Sequence, residues 1–247
     1  KNIYSRDWNI WHMSHEGGEL ENTWNRPNEE MYLLTKSPKE APDSETEVSI
    51  DFERGFPVAV DGEKMSSLAL LEKLNRLGAE NGIGRTDLVE TRVVGMKSRG
   101  VYETPGGTIL FRALRELEMI TLDSETLALK NSMALQYAGI VYSGKWFTHF
   151  RECMDAYMAK AAHYMTGTVR LTLYKGNVIV TGRKSEYSLY LEDLASFGES
   201  SYDHGDATGF IKLYGLATGV ASIVHKHDEA DTGPAKEMRA MAGFHEK

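Results

Sequence analysis

Hydrophobic and polar residues alternate with a period of two in two separate segments of the chain. Residues 47–60 read EVSIDFERGFPVAV, and residues 168–182 read TVRLTLYKGNVIVTG. A period of two places alternate side chains on opposite faces of a strand, and a short break containing glycine reverses the chain. Each segment therefore predicts a β-hairpin, the first turning at Arg54-Gly55 and the second at Lys175-Gly176-Asn177.

The segment after the first hairpin changes to a helical spacing. Its apolar residues recur at steps of three and four, which places them on one side of a helix. A serine before them can accept a backbone hydrogen bond, and a glycine commonly follows the last turn. The segment therefore predicts a helix that begins at Ser66 or Ser67 and stops at Gly82. The residues expected to face inward are Leu68, Leu70, Leu71, Leu74 and Leu77.

The same spacing predicts further helices. One follows the turn at residues 104–107, one begins at Asp123 or Ser124, and one covers residues 147–165. A late helix is predicted over about residues 213–228. The inward residues are expected to be Ile109, Leu110, Ala113, Leu114 and Leu117, then Leu127, Leu135, Ala138 and Val141, then Phe150, Met154, Tyr157 and Met158, and finally Leu216, Val220, Ile223 and Val224.

Two remaining segments complete the predicted fold. Residues 1–45 are rich in glycine, proline, asparagine and charge, which is typical of surface loop, and residues 88–94 are strand-like. Hairpins are therefore interleaved with helices, without a strict alternation of strand and helix. This order predicts an α+β fold of antiparallel hairpins packed with helices.

Composition restricts the classes of partner. The 247 residues carry a formal net charge of −8, and no long basic run occurs, so a nucleic-acid partner is disfavoured. No apolar run approaches the width of a bilayer, so no membrane partner is expected. The single cysteine, Cys153, allows no internal disulfide and favours a cytoplasmic location. The chain starts at Lys1, and we expect it to be the back part of a longer protein.

Several isolated signals for chemistry are weak. His12 and His15 are three residues apart without a third ligand at a matching spacing. His225 and His227 precede Asp228 and Glu229, but charged tails commonly have this composition. We therefore predict no metal site. Cys153 lies in a predicted helix beside Arg151 and Glu152, and no activating partner base is recognised for it, so it is not expected to be a nucleophile. The sequence TPGGT could hold an anion at a helix start, although most such turns are only caps.

Residues 82–110 are different because charge is dense there. The carboxylate of Glu90 stands among four cationic residues, so its pKa should be lowered and it should remain ionised. An ionised carboxylate suits an ammonium ligand, and the hydroxyl of Tyr102 follows close behind. The alternative, which spacing alone favours, is a structural ion pair with a neighbouring arginine, Arg92 or Arg99. The four cations are Arg85, Arg92, Lys97 and Arg99.

The stretch from Gly84 to Leu110 closely resembles the argininosuccinate synthase family. The family reads Gly-Arg-x-Asp-x-Val-Glu-x-Arg here, followed by Gly-x-Lys-Ser-Arg-Gly-x-Tyr-Glu-Thr-Pro-x-Gly-Thr-Ile-Leu. Residues 4–22, 173–190 and 206–211 also agree, in the same order, so the resemblance covers essentially the whole chain.

The resemblance implies that this chain corresponds to only one part of the family's proteins. The front half of the family is a nucleotide-binding domain with the phosphate loop Ser-Gly-Gly-Leu-Asp-Thr, which does not occur in this sequence. We therefore expect a synthetase domain at residues 1–212 and a C-terminal oligomerisation helix with its tail at residues 213–247. ATP, with Mg as a co-substrate, is expected to bind mainly to the missing domain.

The resemblance also implies a reaction and a binding site. Family members join citrulline to aspartate with ATP, releasing AMP and pyrophosphate, and they are homotetramers. The residues that match the family's citrulline-binding positions are Ser5, Ser14, Glu90 and Tyr102. None of them needs to transfer a proton, so no catalytic residue is predicted, and this chain alone is expected to be inactive. The alternative is a non-catalytic oligomerisation module.

Overall fold

The computed structural model describes residues 3–195 and 203–225 and confirms the α+β class. The chain divides into two compact units, residues 1–190 and 191–247, which are described separately below. The strands are β1 Ser5–Trp8, β2 Met13–Glu16, β3 Thr46–Glu53, β4 Phe56–Val60, β5 Glu63–Lys64, β6 Arg85–Thr91, β7 Lys97–Glu103, β8 Gly167–Tyr174 and β9 Asn177–Lys184. The helices are α1 Ser67–Glu80, α2 Pro105–Thr121, α3 Ser124–Tyr142, α4 His149–Ala161, α5 Glu192–Ala195, α6 Asp206–Tyr214 and α7 Leu216–Val224.

A five-stranded antiparallel sheet in the order β5-β4-β3-β8-β9 contains both predicted hairpins. Each hairpin turns through two residues with positive φ, Arg54 and Gly55 in the first and Lys175 and Gly176 in the second. Two successive left-handed residues match the right-handed twist of the flanking strands. Both hairpin predictions are therefore confirmed.

The main core lies between this sheet and helices α1 and α2. Alternate residues of β3 and β8 are at most 2% exposed, as the period of two predicted. Fully burying one such aliphatic side chain contributes about 1.5–3 kcal/mol. The core residues from the strands are Val48, Ile50, Phe52, Val169, Leu171 and Leu173, and those from the helices are Leu70, Leu74, Ile109, Ala113 and Leu117.

The start of α1 and most of its predicted inward residues are confirmed, and one of those residues is exposed. Ser66 Oγ accepts a hydrogen bond from the Ala69 N–H at 3.3 Å, so Ser66 is the cap. Leu68 was expected to face inward and is 57% exposed. Leu70 and Leu74 are buried as predicted, Leu77 packs against the core, and Gly78 lies on the same buried side. At Gly78 a side chain would meet Pro105, the first residue of α2, so this close approach sets the rotation of the helix.

Helices α3 and α4 bury less of their apolar surface than the pattern predicted. Asp123 caps α3, as expected, by accepting from the Thr126 N–H at 2.9 Å. The two helices pack mainly on each other, so the residues on their outer sides have no core to cover. The inward prediction is therefore wrong for Leu135, Ala138, Val141 and Phe150, which are exposed, whereas Met154 is buried as predicted.

The prediction that residues 1–45 are only surface loop is wrong. They contain β1, β2 and two short 3₁₀ turns, Gly18–Glu21 and Glu29–Met31. These strands join the hairpin of β6 and β7 in a four-stranded sheet ordered β1-β2-β7-β6. Each new strand has four residues, and β2 pairs with a strand more than eighty residues later, so no local pattern marks them.

The predicted strand at residues 88–94 is shifted in the structure. Strand β6 begins at Arg85 and ends at Thr91. Val93 and Val94 lie in the turn that follows, where the Arg92 N–H donates to the Met96 carbonyl at 2.8 Å. Their apolar side chains are 70% and 74% exposed. The apolar residues of this segment therefore belong partly to strand β6 and partly to the turn that follows it.

The second unit contains α5, α6 and α7 among its described residues. The late helix predicted over 213–228 is broken at Gly215, and residues 226–228 lie outside the described residues. Leu216, Val220 and Val224 are between 51% and 61% exposed. No helix in the described ranges is long and apolar enough to cross a bilayer. The expected domain boundary at residues 212 and 213 stays a prediction.

Candidate functional site

The register of the four-stranded sheet places the predicted site residues on one face. Ser14 of β2 lies directly opposite Tyr102 of β7, and Glu90 of β6 lies opposite Ser98 of β7. Residues directly opposite each other project on the same side, and Ser98 and Tyr102 are an even number of positions apart. Ser14, Glu90 and Tyr102 therefore share a face, which is called the hydroxyl face below.

Ser5 reaches the same face through β1. It lies opposite Glu16 of β2, which is two residues beyond Ser14. Ser5 is exposed, whereas Ser14 is 8% exposed. The Ser14 hydroxyl lies 3.5 Å from the backbone carbonyl of Asp7. The two hydroxyls therefore lie at neighbouring strands, one of them open to solvent.

Tyr102 and Glu90 are joined by a direct hydrogen bond, in which the phenol donates to Glu90 Oε1. Tyr102 lies opposite Thr86, and Glu90 is four residues, or about 13 Å, farther along β6. The two side chains must therefore lean toward each other along the sheet. Burial raises the pKa of Tyr102, and the hydrogen bond and the charge of Glu90 raise it further. The phenol stays protonated and remains a donor.

The cations near Glu90 in the sequence are bound to other acceptors. Arg85 and Arg99 project from the opposite face, because they are an odd number of positions from Glu90 or from its partner Ser98. The alternative of an ion pair between Glu90 and Arg92 or Arg99 is wrong among the described contacts, because both arginines pair with other carboxylates. The observed contacts are Arg85–Glu29 at 2.7 Å, Arg92–Glu16 at 2.7 Å, Arg99–Asp87 at 2.6 Å and Lys97–Thr91 at 2.5 Å.

On the opposite face, a buried carboxylate joins the sheet to the N-terminal segment. Glu103 accepts hydrogen bonds from the N–H groups of Leu33, Leu34 and Thr35 at 2.8, 3.0 and 2.7 Å. It also accepts from the Thr35 hydroxyl at 2.6 Å and contacts His15 Nε2 at 2.9 Å. Burial by itself raises the pKa of Glu103, but the hydrogen bonds outweigh burial and the pKa is lowered. Glu103 therefore remains ionised.

The geometry does not support the metal site that His12 and His15 could suggest. Both ring nitrogens of His15 are occupied, since Arg6 Nε donates to Nδ1 at 3.0 Å and Nε2 contacts Glu103. The His12 ring packs edge-on against the Tyr102 ring, with centroids 5.7 Å apart. Within residues 3–195 and 203–225, no group of three potential ligands is assembled. His227, of the later pair, lies outside the described residues.

The start of α2 is a capped helix end. The N–H of Gly106 donates to the side-chain oxygen of Asn75, in α1, at 2.9 Å. A side chain at Gly107 would lie 3.1 Å from the Trp11 ring, so the indole covers this turn. Thr104, the residue before the helix, makes no side-chain cap hydrogen bond, so Asn75 is the capping side chain, and the interpretation of TPGGT as only a cap stays a prediction.

Similarity to known proteins decides the family. The family described as "Arginosuccinate synthase C-terminal domain" matches residues 4–221. The chain belongs to the argininosuccinate synthase family. The resemblance of the sequence from Gly84 to Leu110 is thereby confirmed.

The argininosuccinate synthases of two bacteria and a plant are similar over nearly all of this chain. The protein of Moorella thermoacetica is 55% identical over 224 residues, which is 90% of this chain and 55% of that protein. That of Desulforamulus reducens is 55% identical, over 92% of this chain and 57% of that protein. "Argininosuccinate synthase, chloroplastic" of Arabidopsis thaliana is 52% identical, over 92% and 46%. The chain spans about half the length of these relatives.

Two depressions in this argininosuccinate synthase domain adjoin the sheet. One, of about 520 Å³, lies where β2 ends and β7 begins, and its lining includes Ser5, Glu16, Arg92 and Ser98. The other, of about 580 Å³, is lined by Trp8, Trp11 and His12 together with residues of α1. Glu16 and Ser98 were not singled out from the sequence, and their even spacing from Ser14 and Tyr102 places them on the hydroxyl face.

Proposed function

We propose that this chain supplies the citrulline-binding part of an argininosuccinate synthase. The whole enzyme would be a ligase of arginine biosynthesis that joins citrulline to aspartate, consuming ATP and releasing AMP and pyrophosphate. The observation that carries the proposal is the hydrogen bond from Tyr102 to Glu90 on a face that also presents Ser5 and Ser14. These residues match the family's citrulline-binding positions.

The chemistry of the hydroxyl face suits the α-ammonium group of an amino acid. An ionised Glu90 accepts charge-assisted hydrogen bonds from ammonium, and each is worth about 1.5–3 kcal/mol. Ser5 and Ser14 add neutral hydroxyls, which bind without a further charge. Tyr102 donates to one carboxylate oxygen of Glu90 and leaves the other for the ligand.

None of these residues acts as an acid, a base or a nucleophile in the proposal. The citrulline ureido oxygen attacks the α-phosphate of ATP, and the aspartate amine then displaces AMP from the citrullyl-adenylate. This chain would contribute by orientation, holding the ureido oxygen in line with the phosphate. Orientation of this kind can contribute about 7–11 kcal/mol to a barrier.

ATP and Mg²⁺ would bind mainly to a nucleotide-binding domain outside this sequence. The family's phosphate loop does not occur in these 247 residues, and the first residues of α2 are buried, with the Gly106 N–H donating to Asn75. The chain alone is therefore expected to form no AMP from ATP, citrulline and aspartate. A cytoplasmic location stays a proposal, since one plant relative is named as chloroplastic.

A second candidate function is assembly without catalysis, as a module of a homotetramer. Exposed apolar residues on α7 favour it, because Leu216, Val220 and Val224 lie on one side of that helix and are more than half exposed. Burial against a second copy would remove them from water. The two functions are compatible in the whole enzyme and differ in the isolated chain.

Calorimetric titration of the chain with citrulline tests the first proposal. We expect saturable binding that is lost in Glu90→Gln, which keeps the shape of the side chain and removes its charge. Glu53→Gln is the matched control, because Glu53 lies in the other sheet and is exposed. Equal binding by the wild type and Glu90→Gln contradicts the citrulline site. A folded oligomer that binds no citrulline supports the assembly module.

A further inference from the structure

A glycine lies under the contact between Tyr102 and Glu90. Gly100 is buried in β7, two residues before Tyr102 and two after Ser98, so it belongs to the hydroxyl face. It lies opposite Leu88, which is two residues before Glu90. The two side chains that lean toward each other therefore meet above Gly100.

The Tyr102 ring occupies the space that a side chain at position 100 would need. A Cβ on Gly100 would lie 3.0 Å from Cε2, 3.0 Å from Oη and 3.1 Å from Cζ of Tyr102. Almost all observed Cβ contacts are longer, so the ring or the strand would have to move by a few tenths of an ångström. The atoms that would move include the oxygen that donates to Glu90.

The backbone itself does not require glycine here. Gly100 is not among the residues with positive φ, in contrast to Gly84 and Gly95 of the neighbouring segments. A glycine in the interior of a regular strand makes the folded state less stable than an alanine at the same position does. Alanine at this position would therefore stabilise the strand. The space that excludes a side chain here is taken by the Tyr102 ring, not by the backbone.

We propose that Gly100 is a positioning residue of the citrulline site. Its lack of a side chain allows the Tyr102 ring to lie along β7 and donate to Glu90. The hydrogen bond then fixes one oxygen of the Glu90 carboxylate and turns the other toward the ligand. His12 packs edge-on against the same ring and limits where the ring can move. The inference rests on the proposed function.

Gly100→Ala in the full chain tests the proposal by three measurements. The midpoint of thermal unfolding should be unchanged or higher, because alanine suits a strand better than glycine. The ring-carbon NMR signal of Tyr102, assigned with Tyr102→Phe, should shift. The dissociation constant for citrulline should rise about tenfold, as expected for the loss of one hydrogen bond. Gly182→Ala in β9 is the control, because a side chain there would meet the flexible end of Arg170.

A double variant separates positioning from a direct effect on citrulline. Tyr102→Phe should weaken citrulline binding about tenfold by itself, and adding Gly100→Ala should weaken it little further, because both changes remove the same hydrogen bond. Effects that multiply in the double variant would overturn the proposal. So would an unshifted Tyr102 signal in Gly100→Ala, or a shifted signal with unchanged affinity.

Failure of the proposed function would be recognised separately. If the wild-type chain binds no citrulline, the citrulline site is wrong for the isolated chain. The NMR signal then decides the structural part of the proposal without any ligand. A shift in Gly100→Ala supports positioning of Tyr102 by Gly100, and no shift overturns it.

Discussion

His15 Nε2 lies 2.9 Å from Glu103 Oε1, and neither side chain is exposed to solvent. Each of these residues adjoins a residue of the hydroxyl face in the chain, because Ser14 precedes His15 and Tyr102 precedes Glu103. The contact therefore connects β2 to β7 on the face opposite the hydroxyl face, at the place where Ser14 lies opposite Tyr102. A buried polar network of this kind fixes the register of the two strands that carry the site.

Removal of the buried carboxylate should destabilise the first unit strongly. Glu103→Ala leaves the N–H groups of residues 33–35 without their acceptor, and breaking such a buried charged network typically costs about 3–5 kcal/mol of the free energy of unfolding. Urea denaturation followed by circular dichroism measures the loss. Glu53→Ala, an exposed position in β3, should change stability by less than about 0.5 kcal/mol. Equal effects of the two changes would contradict the role assigned to Glu103.

The same carboxylate should make stability depend on pH in the acid range. The pKa of Glu103 is lower in the folded chain than in the unfolded chain, because its hydrogen bonds outweigh burial. Its contribution is therefore complete above the ordinary glutamate pKa of about 4.3 and is lost as the pH falls through the lowered folded-state pKa. We expect the free energy of unfolding of the wild type to fall more steeply below about pH 4.3 than that of Glu103→Gln, which cannot titrate. Parallel curves for the two proteins would show that Glu103 does not contribute.

Alanine substitutions at two helical glycines should change the free energy of unfolding in opposite directions. A side chain at Gly78 would lie 2.8 Å from Pro105 Cβ, where α1 crosses α2, whereas a side chain at Gly139 of α3 would have nothing within 4 Å. Gly139→Ala should raise the free energy of unfolding by about 0.5–1 kcal/mol through helix propensity alone. Gly78→Ala should lower it by about 1–3 kcal/mol through overpacking. Thermal unfolding of both variants checks the difference, and a stabilised Gly78→Ala would mean that the two helices are not in close contact.

Alanine substitutions at two leucines of α1 test which of the apolar residues of this helix are packed in the core. Leu74 is fully buried in the main core, and Leu68 is 57% exposed. Leu74→Ala should lower the free energy of unfolding by about 2–5 kcal/mol. The same substitution at Leu68 should change it by no more than about 0.5 kcal/mol, and chemical denaturation of both variants measures the contrast. Similar losses would show that the start of α1 is packed after all.

Local patterns were sufficient for much of the fold. The hairpins at 46–60 and 167–184 and the caps Ser66 and Asp123 follow from residues that are neighbours in the chain. The exposure of Leu68 does not, because it depends on where the rest of the fold packs against α1. The strands at Ser5–Trp8 and Met13–Glu16 were missed for a similar reason. Each is only four residues long, and Met13–Glu16 joins the sheet by pairing with β7, more than eighty residues later.

The sequence by itself determined the family and the two hairpins, and it predicted Ser5, Ser14, Glu90 and Tyr102 as binding residues, because motifs and periodicity are properties of the chain. Only the tertiary structure decided that these four lie on one face and that the nearby cations bind elsewhere. It also showed that the Tyr102 ring lies over Gly100. The physical reason is the alternation of a strand, which sends adjacent residues to opposite sides of the sheet, so proximity in sequence does not give proximity in space.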